Sequence, residues 1–305
     1  MPLFSIAGTT LSAVDQTNFS VEKDLQRLIE TNLETIFGCR FVSSEFPTGA
    51  QHAGRIDTLA LSEDDNPVIV EYKKVEASDL INQSLFYLSW IQDHRGDFEI
   101  AAQKQLGTEA IVDWSDIRVI CLAPNYKKYD LHAVQVMGAN LELWTYRLFA
   151  NGSLYLEEVF QKSVTTTSSA SGKGLTVGQT AAISKKTSYT IEQHFEGKPT
   201  LVQELARSIQ DFLLALDSSM EEVPKKFYVA YKISQNIVCM EIQKQRVLLF
   251  AKLDPKTVEP LAGITRDVSD IGHYGTGDLE LSVRTAGDLA LVKPLLLEAY
   301  QKVGG

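Results

Sequence analysis

Residues 163–188 (SVTTTSSASGKGLTVGQTAAISKKTS) are rich in Ser, Thr, Gly and Lys and lack apolar periodicity. Such a stretch reads as a flexible linker, so the chain is expected to build its cores on either side of it. The expected organisation is a domain over residues 1–162, a flexible linker over 163–188 and a smaller domain over 189–305. A chain of 305 residues has the mass for two cores, and 44% hydrophobic with 22% charged residues is ordinary globular composition. The linker region carries Lys162, Lys173, Lys185 and Lys186 and no acid, so a tether there could also help to hold a polyanion.

In the first half, two strand-like runs each carry charge where the neighbours are apolar. Residues 55–61 (RIDTLAL) alternate so that Asp57 shares a face with Leu59 and Leu61. Fourteen residues on, Val68, Ile69 and Val70 lead into Glu71, Tyr72 and Lys73, and the same period puts Glu71 and Lys73 on one face. A helical segment follows, with Gln83 and Tyr87 four residues apart and therefore on one side. Two carboxylates and an ammonium thus converge at the ends of adjacent strands. Hard oxygen ligands of this kind suit Mg²⁺ or Mn²⁺, which neutralise charge in phosphodiester hydrolysis and acidify bound water. Lys73 would orient or deprotonate the attacking water.

The order G-x-x-D at residues 54–57, V-I-V-E-x-K at 68–73 and Q-x-x-x-Y at 83–87 resembles the PD-(D/E)XK superfamily, most closely its NucS-like branch. The resemblance covers about residues 20–95, and Ile56 stands where the superfamily's proline would be. It implies a restriction-endonuclease-like α/β domain with a mixed sheet flanked by helices. It also implies catalytic Asp57, Glu71 and Lys73, with Gln83 and Tyr87 bordering the site against the substrate backbone. Such families usually add an acid from the preceding helix. The apolar stripe Val21, Leu25, Leu28, Ile29, Leu33 and Ile36 puts Glu22 on its inner side and Glu30 and Glu34 away from it. Glu22 is therefore the candidate third metal ligand, beside Asp57 and Glu71; its competing reading is a first-turn acid behind an N-cap at Ser20. Arg55, and His52 in the glycine-bounded stretch before Asp57, are further candidates for contact with the scissile phosphate.

Charge argues the other way. Residues 1–160 hold 12 Lys and Arg against 23 Asp and Glu, a net of −11, and the remainder is +1. An acidic domain gains little from counterion release on nucleic acid, so a basic strip near the cleft would have to come from Lys73, Lys74, Lys127 and Lys128. Cys39, Cys121 and Cys239 are far apart without C-x-x-C spacing, and five scattered histidines form no motif. Reduced core thiols fit this pattern and a zinc site does not. No apolar run reaches the length of a membrane span, and residues 1–4 lack a basic signal-peptide start, so a cytoplasmic protein is expected.

The second half reads as a small α+β domain: helices near 191–195, 200–216 and 286–303, and strands near 227–232, 237–243, 246–253 and 279–284, with a tight turn at 243–245. It resembles the C-terminal domain of an uncharacterised bacterial family labelled "predicted transport protein", some of whose members pair it with a NucS-like domain. Its glycine-rich stretch at 272–278 contains His273 but precedes a strand rather than a helix, which favours a turn over a phosphate cradle. The expectation for the whole is a metal-dependent DNA endonuclease, in repair or in defence against foreign DNA, acting on single-stranded or branched DNA among other forms. A homodimer and a protein partner for the second domain fit the same outline. The alternative is a non-catalytic nucleic-acid- or protein-binding module that keeps the fold.

Overall fold

The computed structural model describes residues 2–49, 54–76, 79–137, 141–160 and 189–303. The expected linker and His52 lie outside the described residues. The chain divides into two compact units, Met1–Glu34 with Cys39–Lys186, and Thr35–Gly38 with Thr187–Gly305.

The first unit opens with strands β1 (Leu3–Ala7), β2 (Thr10–Val14) and β3 (Gln16–Thr17), then helices α1 (Glu22–Thr31) and α2 (Leu33–Phe37). Strands β4 (Cys39–Pro47), β5 (Arg55–Ser62) and β6 (Pro67–Tyr72) follow, and then helices α3 (Asp79–Asp93) and α4 (Arg95–Leu106). The unit ends with β7 (Arg118–Ala123), α5 (Lys128–Met137), β8 (Leu141–Phe149) and β9 (Leu154–Phe160). While β1 and β2 form a separate hairpin, the main sheet has the order β3-β8-β7-β6-β5-β4, with β9 also paired to β8. β6, β7 and β8 are parallel and joined through helices, whereas β4, β5 and β6 run antiparallel. This is the expected mixed sheet flanked by helices. All six residues of β6 and of β7 are buried, as central strands covered on both faces must be.

One core packs Leu59, Leu61, Ile69, Val119 and Cys121 of the sheet under Leu80, Ile81, Trp90 and Phe98 of α3 and α4. Period two then sets Asp57 with Leu59 and Leu61, and Glu71 with Ile69, on the side that those helices cover. α1 buries Leu25 and Ile29 of the expected stripe but leaves Val21 and Leu28 exposed, and Glu30, which the stripe sets away from the core, accepts from Thr58 Oγ1 at 2.7 Å.

The stripe from Val21 to Ile36 predicts one continuous helix over residues 21–37, and the structure breaks it. Asn32 caps α1, with its backbone N–H donating to Ile29 O and its side-chain Nδ2 to Leu28 O; an asparagine amide competes with the helix for its own carbonyls. Nor is Ser20 the N-cap. Val21 takes that place in extended backbone with no side-chain cap, and the Ser20 carbonyl accepts from Lys74 Nζ at 2.6 Å.

The second unit contains α6 (Ile191–Phe195), α7 (Thr200–Leu214), β10 (Glu221–Pro224), β11 (Val229–Lys232), β12 (Asn236–Ile242), β13 (Val247–Ala251), β14 (Thr265–Asp267), β15 (Leu279–Val283) and α8 (Ala286–Val303). Its antiparallel sheet has the order β10-β11-β12-β13-β15-β14. Sheet residues such as Val229, Val238, Leu249 and Leu281 pack with Ile209 and Leu213 of α7 and Val292 and Leu296 of α8. The opposite side carries a smaller cluster of Tyr228, Cys239, Leu248 and Phe250. The 272–278 stretch lies against that side. A Cβ on Gly275 would meet Cys239 Cβ at 2.5 Å, and one on Gly277 would meet Phe250 C at 2.7 Å.

Candidate active site

The site forms where the β5–β6 ladder ends. Backbone pairing runs from Leu61↔Pro67 to Thr58↔Val70 and stops one step short of Asp57 and Glu71. Carboxylates take over there: the Asp57 N–H donates to Glu71 Oε1 at 3.0 Å, and the Tyr72 N–H donates to Asp57 Oδ2 at 3.1 Å. The two acids are thereby held against each other across the splayed strands. On the other edge β6 stays paired to β7, with the Lys73 N–H donating to Leu122 O at 2.8 Å.

Glu22, in the first turn of α1, reaches the same place. Its Oε2 accepts the Lys74 N–H at 2.8 Å and its Oε1 lies 3.6 Å from Lys73 Nζ. α1 is anchored there by Gln26, a buried side chain whose Nε2 donates to Asp57 O at 2.8 Å. The structure therefore brings Glu22, Asp57, Glu71 and Lys73 together. As they stand, no group of three or more His, Cys, Asp or Glu among the described residues has the spacing to hold a metal ion.

The electrostatics are those of carboxyls withdrawn from water. Glu71 has no exposed surface; its burial, and after it the neighbouring Asp57 charge, push its pKa up to about 9. Burial also raises Asp57, against the opposing Tyr72 N–H and Lys73 charge. Among the described residues the buried Glu71 Oε2 has no hydrogen-bond partner. Such an atom is costly unless the carboxyl is protonated or faces a cation. The donor types, two converging carboxylates with one oxygen unspent and a lysine alongside, are those a hard divalent cation takes, although as they stand they are not spaced around one.

Other predicted residues sit around this centre. Ser84 of α3 contacts Cys121 at 3.1 Å, and Cys121 is the register partner of Glu71 on β7, so the start of α3 lies over the Glu71 rung. Gln83 Nε2 donates to Tyr87 Oη at 3.1 Å. Tyr87 is buried in the core under α3, and its hydroxyl abuts Gly54, where a Cβ would come within 3.0 Å of it. Among the described residues the Gln83–Tyr87 pair makes no hydrogen bond to the acids. Arg55 is exposed and lies 3.6 Å from Glu45, away from a direct contact with Asp57 or Glu71.

Sequence reasoning missed Glu45 and Lys23. The β4–β5 register flanks Glu45 with Ser44↔Thr58 and Phe46↔Ile56, which sets it opposite Asp57. Its φ is +54°, an uncommon value for a glutamate. Glu45 accepts from Lys23 Nζ at 2.7 Å, and this hydrogen bond holds its carboxyl below the usual range. A left-handed residue inside a strand has no marker in the sequence unless it is Gly or Asn, so no local signal pointed to it.

Comparisons with known proteins add the following. A model for a domain of unknown function (DUF5655) matches residues 191–303. An uncharacterized protein of Haemophilus influenzae is 28% identical over 305 residues, covering 99% of this chain and 100% of that protein. Among solved structures, an EndoMS–dsDNA complex matches at 20% identity and a TM-score of 0.30, covering 44% of this chain and 49% of that one. A repair endonuclease from Pyrococcus abyssi matches at 21% identity and a TM-score of 0.25, covering 42% and 48%. The chain thus spans about half the length of the solved structures it matches. No helix among the described residues is long and apolar enough to cross a membrane.

Proposed function

We propose that the protein is a metal-dependent nuclease that hydrolyses phosphodiester bonds in DNA. The observation that carries this reading is the end of the β5–β6 ladder, where Asp57 and Glu71 converge, one buried Glu71 oxygen has no partner among the described residues, and Lys73 stands beside them. Asp57 and Glu71 would hold Mg²⁺ or Mn²⁺, with Glu22 as a third acid. The ion, when bound, supplies charge neutralisation and an acidified water.

The chain's own groups have distinct tasks. Lys73 places a positive charge at the mouth of the site, where it orients the attacking water and offsets charge on the phosphate. Glu22 fixes Lys73 by an ion pair and ties the following backbone through the Lys74 N–H. Lys74, Arg55 and Lys23 are the cations closest in the chain and in hydrogen bonding to this centre, and they are the means by which an acidic domain could still accept a polyanion. Gln83 and Tyr87 shape the wall under Gly54.

A second reading has its own observation. Both carboxylates already accept backbone N–H groups, which is a structural use, and the first half of the chain is strongly acidic. On that reading the fold is a binding module without turnover.

Cleavage of labelled single-stranded, duplex and branched DNA with Mg²⁺, Mn²⁺ or chelator separates the two. Metal-dependent cutting by the wild type, abolished in Asp57→Ala and in Lys73→Ala with folding retained, is the expected result. Glu22→Gln should lower the rate by a smaller factor, about tenfold, because it frees Lys73 without removing it. No cutting on any substrate would leave the binding module as the surviving reading.

A further inference from the structure

In the second unit, β12 and β13 are joined through a tight turn closed by the Gln243 N–H donating to Arg246 O at 3.0 Å. β13 pairs with β15, and the last rung is Val247↔Val283. One step further the same register sets Arg246 directly opposite Arg284. Like charges in this position repel and destabilise the strand pair, so a sheet has no reason of its own to place two arginines there.

Among the described residues neither arginine has an acid within ion-pair distance, and each is held by neutral acceptors instead. Arg246 donates from Nε to Gln243 Oε1 at 3.0 Å and from Nη1 to Ser282 Oγ at 3.3 Å, and Arg284 Nη1 donates to Gly263 O at 3.0 Å. The acids nearest in sequence are engaged elsewhere. Glu241 accepts from Gln243 Nε2, and Asp288 accepts the backbone N–H groups of Arg284 and Thr285. Together with Lys244, the two arginines line a cavity of about 430 Å³ whose other walls are Gln243 and Gln245, with no acid among its lining residues. That volume falls in the range of small-ligand sites.

We propose that this cavity is an anion site that takes a phosphate group, either in a polynucleotide backbone or on a free nucleotide. Guanidinium forks held at fixed positions match phosphate oxygens in pairs, and Lys244 adds a mobile point charge from the turn. A bound phosphate removes the repulsion between Arg246 and Arg284, so part of its binding free energy is strain relief in the sheet. The site is independent of the nuclease reading of the first unit.

The test uses the full chain and hydrogen–deuterium exchange, which reads the two units separately. The probes are a single-stranded oligonucleotide, AMP and inorganic phosphate. Slower exchange at residues 243–246 and 284–288 is expected with at least one of them. In Arg246→Gln/Arg284→Gln that protection should vanish, with affinity lowered about tenfold or more. Lys244→Gln should weaken it by a smaller factor. Protection by the oligonucleotide alone assigns a polynucleotide ligand, whereas protection by AMP or phosphate as well assigns a single phosphate. The proposal is overturned if none of the three probes slows exchange at these residues, or if the double variant keeps wild-type protection.

Discussion

Glu71 is a carboxyl with no exposed surface, and its protonation couples the site to stability. Its folded-state pKa, about 9, lies above the ordinary 4.5, so between those values the folded chain holds a proton that the unfolded chain has released. Stability without metal therefore falls as pH rises through this window, by up to about 1.4 kcal/mol per pH unit. Asp57, also raised, acts in the same direction. Thermal melts in chelator should show the wild type losing stability between pH 5 and pH 8.5 relative to Glu71→Gln; parallel curves would mean that Glu71 is not buried as described. At pH 8.5, Mg²⁺ or Mn²⁺ should raise the melting temperature of the wild type and leave that of Glu71→Gln nearly unchanged. The type and period of Asp57, Glu71 and Glu22 were legible in the sequence because strand and helix periodicities are local. Glu45 and Lys23 were not, because their partners come from other elements.

The elements show where local rules hold and where they yield. The apolar runs of β5 and β6 formed the expected buried strands, and of the expected α1 stripe Leu25 and Ile29 packed inward while Val21 and Leu28 stayed exposed. The helix broke at Asn32, and β10, β14 and α5 formed where no strong pattern announced them. Short edge strands such as Glu221–Pro224 and Thr265–Asp267 owe their conformation to the neighbour they pair with. The 272–278 stretch reads as a turn and behaves as a packed strap. Gly277 has a φ of +122° and its backbone faces the carbonyl carbons of Phe250 and Ala251 at under 3 Å from where a Cβ would stand. Gly277→Ala should cost about 2 kcal/mol or more in urea denaturation, since both the backbone angle and the space exclude a methyl group. A loss within a few tenths of a kcal/mol would mean that the strap is not seated on the sheet.

At the scale of the whole chain, the second of the two units packs a core from its own residues. The core of the second consists of residues from Phe195 to Ala299, with partly buried neighbours as far as Val303. A fragment covering residues 189–305, which carries this core without Thr35–Gly38, should therefore unfold in one cooperative transition by calorimetry. A broad, non-cooperative transition would mean that the core depends on the rest of the chain. The charge division has a second consequence. With a net of −11 in residues 1–160, any DNA affinity of that half must come from a few cations around Lys73 rather than from a broad basic face. Its dependence on salt should accordingly be shallow in binding assays.

The sequence by itself determined the mixed α/β character of the first half and the spacing of Asp57, Glu71 and Lys73. It did so because both follow from alternation and apolar runs that are local to each segment. Only the tertiary structure decided that the β5–β6 ladder opens at those two acids, that Glu22 reaches Lys73 from α1, and that Glu45 stands opposite Asp57. It also decided that Arg246 and Arg284 stand opposite each other across a sheet with no acid in ion-pair distance among the described residues. These are pairings between segments far apart in the chain, and they arise from strand register and helix docking, which no single segment encodes.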